Sequence, residues 1–142
     1  MSNREPKSPT LNKVLRETND PAFQINRLAK AIHDDANAHH LWTDFREEMR
    51  KKLKEQSEPD RKALARYYAT AFIAGEVSEM RSAYVSKTHY GEEAADVLIS
   101  LLSTCVEMEI DIGAEVVRKM KINQKRPKRH GKERFICSIP RS

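Results

Sequence analysis

Between Pro21 and Pro127 only Pro59 interrupts the chain, and across that span apolar residues recur at spacings of three and four. Strand-like alternation is missing, so the pattern predicts an all-α chain whose helix boundaries are set by a few breakers and caps. A first helix is predicted over residues 22–40. Ser57 caps a second reaching about residue 85, with Pro59 and Asp60 in its first turn, where a missing N–H and a negative charge are tolerated. A third spans residues 91–108, and Asp111 caps a fourth that runs to residue 125 and ends before Pro127. Residues 42–56 form a highly charged connecting segment whose conformation the sequence leaves open. Four helices predict a four-helix bundle.

The chain has 142 residues, 39% of them apolar, which fits one core that needs neither disulfides nor a structural metal. Cys105 and Cys137 lie far apart and form no ligand pattern, so a reducing, cytoplasmic setting is expected. The opening residues lack an apolar leader core, and no stretch approaches the roughly 18 apolar residues of a membrane span. Secretion and membrane insertion are therefore not expected. No Gly-rich phosphate loop is present, which excludes P-loop and Rossmann nucleotide sites.

The net charge of +5 hides an asymmetry: residues 119–142 hold nine Lys/Arg and one acid, leaving 17 Lys/Arg against 20 acids elsewhere. Three segments follow: a disordered tail over 1–21, a helical domain over 22–127, and a basic tail over 128–142. A basic end of this kind suits phosphate, or is a solvated terminus.

Residues 67–77 (YYATAFIAGEV) are apolar around the whole helix circumference, which predicts burial and makes Glu76 conspicuous. Glu79 lies one turn on and shares its side. Two neighbouring carboxylates in a dry setting repel each other and need a cation, either an Arg81 or Lys partner or a metal ion. In the third helix Glu92, Glu93, Asp96, Ser100, Ser103 and Glu107 share one polar arc, which alone reads as a solvated face. Taken together, Glu76-x-x-Glu79 and Glu93-x-x-Asp96 supply four carboxylates able to converge. Oxygen-only ligands select a hard cation such as Mg²⁺, which keeps positions for water and substrate phosphates.

Lys119, Asn123 and Arg126 share one side of the fourth helix, placed to meet phosphate oxygens or to complement the helix dipole. His33 sits on the edge of the first helix's apolar stripe, and Trp42 reads as a hydrophobic anchor before a base stacker.

Glu76-x-x-Glu79, Glu93-x-x-Asp96-Val-Leu-Ile, Lys119-x-x-x-Asn123-x-x-Arg126-Pro127 and His130-Gly131-Lys132, in this order, resemble the MazG-like nucleotide pyrophosphohydrolases. The resemblance covers residues 22–135. It implies an all-α NTP pyrophosphohydrolase fold, assembled as a homodimer or homotetramer. It also implies Mg²⁺-dependent cleavage of nucleoside triphosphates to monophosphate and pyrophosphate, with Mn²⁺ as a substitute cation. Carried over residue by residue, Glu76, Glu79, Glu93 and Asp96 hold the metal and perform the catalysis. Lys119, Asn123, Arg126 and Lys132 bind substrate, and His33 and Trp42 border the base or sugar. The chain has Gly75 where members often carry a further Glu, and Ala69 where they often carry a Lys.

Two other readings stand beside this one. In the first, the helices form an interaction module whose basic tail binds nucleic acid, the less expected partner. In the second, a catalytically inactive family member binds nucleotides without turnover.

Overall fold

The structure, a computed structural model, describes residues 20–125. It contains five helices, α1 (Pro21–Ala38), α2 (Leu41–Lys52), α3 (Glu58–Ser82), α4 (Lys87–Glu107) and α5 (Ile112–Gln124), and no strand among the described residues. The all-α expectation holds, and among the described residues the count of four helices is corrected to five. No helix in this span is long and apolar enough to cross a membrane. Residues 1–19 and 126–142, with Arg126, His130 and Lys132, lie outside the described residues, and Pro21, assigned to the tail from the sequence, opens α1.

The added helix, α2, arises from the segment left open by its charge. Trp42, Phe45, Met49 and Leu53 follow at steps of three, four and four, and all four are buried. Asp44 near its start and Arg50, Lys51 and Lys52 in its last turn complement the helix dipole. His40, at φ 66°, separates α1 from α2 in a left-handed conformation.

The expected caps form. Ser57 Oγ accepts from the Asp60 amide at the head of α3, and Asp111 Oδ1 accepts from the Ala114 amide at the head of α5. The third predicted helix begins a turn earlier than residue 91, because Ser86 supplies the cap by accepting from the His89 amide. Gly91 consequently lies inside α4.

α4 is the central helix, packed against α1, α3 and α5, and its residues Leu102 to Cys105 are buried on every side. The main core gathers the α2 stripe with Ala69, flanked by Ala36, Leu64, Ala65, Tyr68 and Met108. Trp42 is 1% exposed and donates its indole N–H to Ser103 Oγ at 2.7 Å, while Phe45 and Phe72 meet its ring edge-on. Burying such an aromatic contributes about 2–3 kcal/mol, and the Ser103 bond removes the penalty of an unpaired N–H. The anchor reading of Trp42 is the one its surroundings match.

α1 and α5 meet at a close approach. Asn26 donates to Asp111 Oδ1 and accepts from the Gly113 amide, clamping the head of α5. Gly113 is buried, and a Cβ there would run into the Ala22 backbone. Only glycine permits this spacing.

The predicted burial of residues 67–77 is corrected. Ala69 is buried, but Tyr67, Phe72 and Val77 are exposed, because α3 packs along α4 and against the α2 stripe, and no described helix covers its remaining face.

Candidate functional site

α3 and α4 lie against one another, and this contact brings the two carboxylate pairs to the same place. One carboxylate oxygen each from Glu76, Glu79 and Glu93 lie within 4.8 Å of one another. Glu76 and Glu79 meet because they are one turn apart on α3, and Glu93 reaches them from the facing side of α4. Glu76 and Glu93 are half-buried and Glu79 is exposed. Burial first, and then the charges of Glu79, Asp96 and Glu93, hold the Glu76 carboxyl above its ordinary range. Asp96, one turn beyond Glu93, thus contributes its charge to the site, although its oxygens stand outside the close trio.

The counter-charges are where the site departs from an ordinary surface. Among the described residues no Lys or Arg, Arg81 included, forms an ion pair with Glu76, Glu79 or Glu93. Among the described residues the donor that reaches the trio is His89, whose Nε2–H donates to Glu93 Oε1 at 2.9 Å. The other oxygen of that carboxylate, Oε2, is buried and unpartnered. Thr104 Oγ1 is also buried without a partner, but only Glu93 is a carboxylate. A buried carboxylate oxygen left unbonded is costly, and a cation would satisfy it. Beside the trio, Ser78, Ser82, Ala83 and His89 join Glu79 and Glu93 around a cavity of about 280 Å³.

This donor set fits a hard divalent cation. Oxygens around an octahedral Mg²⁺ at about 2.1 Å stand roughly 3–4 Å apart, so side-chain rotations of under an ångström or so would close the trio. Clusters of like charge also occur on bare surfaces. The orphaned Glu93 oxygen and the absent cations set this one apart.

Sequence reasoning missed His89. With the third helix begun at residue 91, His89 fell outside it. With Ser86 as the cap, His89 is four residues before Glu93 on the same face.

The remaining candidates lie elsewhere. His33 Nε2–H donates to Glu107 Oε2 at 2.7 Å, and the His33 ring stacks on Trp42 with centroids 6.0 Å apart. Lys119 is exposed and Asn123 half-buried on α5, a helix that packs chiefly on α1. No hydrogen bond, ion pair or cavity described here joins either to the carboxylates. Glu107 belongs to the arc predicted to be solvated, yet its side chain is 8% exposed. Arg46 Nη1 donates to both its oxygens at 2.8 and 2.9 Å.

Comparison of the chain with protein-family models, with curated proteins and with solved structures finds no match.

Proposed function

We propose that this chain is a Mg²⁺-dependent nucleoside triphosphate pyrophosphohydrolase of the MazG-like kind, releasing the monophosphate and pyrophosphate. The observation that carries the reading is the trio of Glu76, Glu79 and Glu93. It meets between two helices, has no Lys or Arg paired with it among the described residues, and holds one buried oxygen without a partner.

In this reading Glu76, Glu79, Glu93 and Asp96 hold the cation, for which Mn²⁺ substitutes. When bound, Mg²⁺ supplies Lewis-acid neutralisation of the triphosphate and of the departing pyrophosphate. The residues do the rest. Glu93 is fixed through Oε1 by His89, leaving Oε2 as the ligand atom. One of these carboxylates accepts a proton from the attacking water. Lys119 and Asn123, with Arg126 and Lys132 from beyond the described residues, bind phosphate oxygens.

The assembly belongs to the same proposal. Tyr67, Phe72 and Val77 on α3 and Leu98, Ile99 and Leu101 on α4 are exposed, an apolar display that suits a homodimer or homotetramer.

The test is to incubate the purified protein with a panel of ribo- and deoxyribonucleoside triphosphates, with Mg²⁺ and then with EDTA. Monophosphate and pyrophosphate are separated from diphosphate and phosphate. Release of pyrophosphate that stops with EDTA is expected; diphosphate as product, or turnover undiminished by EDTA, would overturn the reading.

A further inference from the structure

At the opposite end of the α3–α4 pair lies a second and larger pocket, of about 410 Å³, between α2, the first turns of α3 and the end of α4. On α3 it begins about 15 Å before the carboxylates, ten residues at 1.5 Å each separating Arg66 from Glu76. Its size falls within the range of small-molecule sites.

Two helices line most of this pocket, α2 with an apolar and a basic row and α3 chiefly with charged side chains. On α2, Phe45, Met49 and Leu53 form an apolar row, with Arg46 and Arg50 beside it one position on. On α3, Ala65 continues the apolar floor, while Arg61, Lys62 and Arg66 stand around it. Met108 closes the floor from α4. The result is a dry base under a cationic rim.

The charges of the rim do not cancel. Five cations face three carboxylates, Glu58, Glu107 and Glu109, for a net charge of +2. Arg46 is engaged by Glu107, Lys62 by Glu58, and Arg50 by Glu47 outside the pocket. The guanidinium groups of Arg61 and Arg66 form no hydrogen bond or ion pair among the described residues. Two uncommitted guanidinium groups above an apolar floor match a dianionic head on an apolar body. Their planar donors suit phosphate oxygens, which accept two N–H bonds at once.

We propose that this pocket is a binding site for a small phosphate monoester with an apolar body. Arg61 and Arg66 hold the phosphate, and Phe45, Met49, Leu53 and Met108 receive the body. The site is separate from the carboxylate trio, and its occupancy does not depend on Mg²⁺.

The methionines allow a local test. Met49 and Met108 line the pocket, whereas Met80 sits beside Glu79 and Met120 on α5. The full chain labelled at its methionine methyl groups is titrated by NMR with octyl phosphate, octanol and octyltrimethylammonium. Saturable shifts at Met49 and Met108 are expected with octyl phosphate, and at least tenfold weaker binding of the other two. Arg61→Ala/Arg66→Ala, two exposed positions that leave the core untouched, should weaken octyl phosphate at least tenfold and leave octanol unchanged. Equal affinity for octanol, shifts as large at Met80 and Met120, or full binding by the double variant would each overturn the proposal. So would shifts at Met49 and Met108 that depend on protein concentration alone, which would assign the pocket to a contact between copies. An acidic helical peptide that binds there when octyl phosphate does not would assign it to protein docking and overturn it equally.

Discussion

The two ends of α4 carry carboxylates in contrasting company. At the C-terminal end Glu107 is enclosed, and Arg46 and His33 answer its charge from α2 and α1. About four turns earlier Glu93 is 17% exposed and faces two more carboxylates with one histidine for support. Glu107 is a completed structural contact, its demand met inside the chain. Glu93 and its neighbours have no such counter-charge among the described residues. A buried acid therefore says little by itself about function; the location of its counter-charge says more.

The contrast can be broken most directly by removing one charge from each end. Glu79→Gln should lower turnover by at least a hundredfold while the fold persists, measured as pyrophosphate release beside a circular dichroism melt. Without Mg²⁺ its melting temperature should hold or rise, since one of several mutually repelling charges is gone. A wild-type rate would dissolve the distinction. Glu107→Ala should instead destabilise the chain by about 2–3 kcal/mol in urea denaturation, because it leaves His33 and Arg46 without their shared acceptor. That cost should be the same with and without Mg²⁺.

Cation binding sharpens the comparison. Mg²⁺ at ten times its dissociation constant should stabilise the wild type by about 1.4 kcal/mol and the Glu79→Gln variant by much less. An equal gain in both proteins would place the ion elsewhere.

The smallest effect is in the pH profile. Glu76 in the folded chain binds its proton more tightly than in the unfolded chain, so its contribution is complete below the ordinary glutamate value. That contribution is lost as pH rises from that value through the raised one. Glu47 has the opposite sign: hydrogen bonds from Arg50 and then Lys51 lower its pKa to about 2, and its contribution is lost as pH falls from the ordinary value toward 2. Thermal melts of the metal-free protein should show a falling limb above the ordinary glutamate pKa that Glu76→Gln flattens. An unchanged limb in that variant would mean that Glu76 is not the group responsible.

Where one residue type decides a local event, the fold was legible. Ser57 and Asp111 mark helix starts because a side-chain oxygen before an apolar stripe has few other uses. The helix α2 was obscured because seven charged residues between Asp44 and Lys52 outweigh four apolar ones to the eye, although the stripe Trp42, Phe45, Met49 and Leu53 was there to be counted. Burial of residues 67–77 was misjudged for a different reason: hydropathy reports what a surface would prefer to meet, and not how many neighbours a short chain can supply.

The candidate site was legible in its residue types and spacing. Which acids would stay unpaired was not. Glu93 and Glu107 lie on one arc of α4, and the groups that separate their fates are brought by tertiary contact. Arg46 reaches Glu107 across 61 positions and His33 across 74. No local pattern in α4 encodes those distances.

The close approach of Gly113 to Ala22 bears on the order in which the chain can be completed. The first of the described helices must wait for the last of them, so the face of α1 that receives α5 stays open while the helices between are made. The helices between them can pair with near neighbours as they emerge, but this seam cannot form early. A side chain at position 113 would obstruct that final docking without disturbing the formation of either helix.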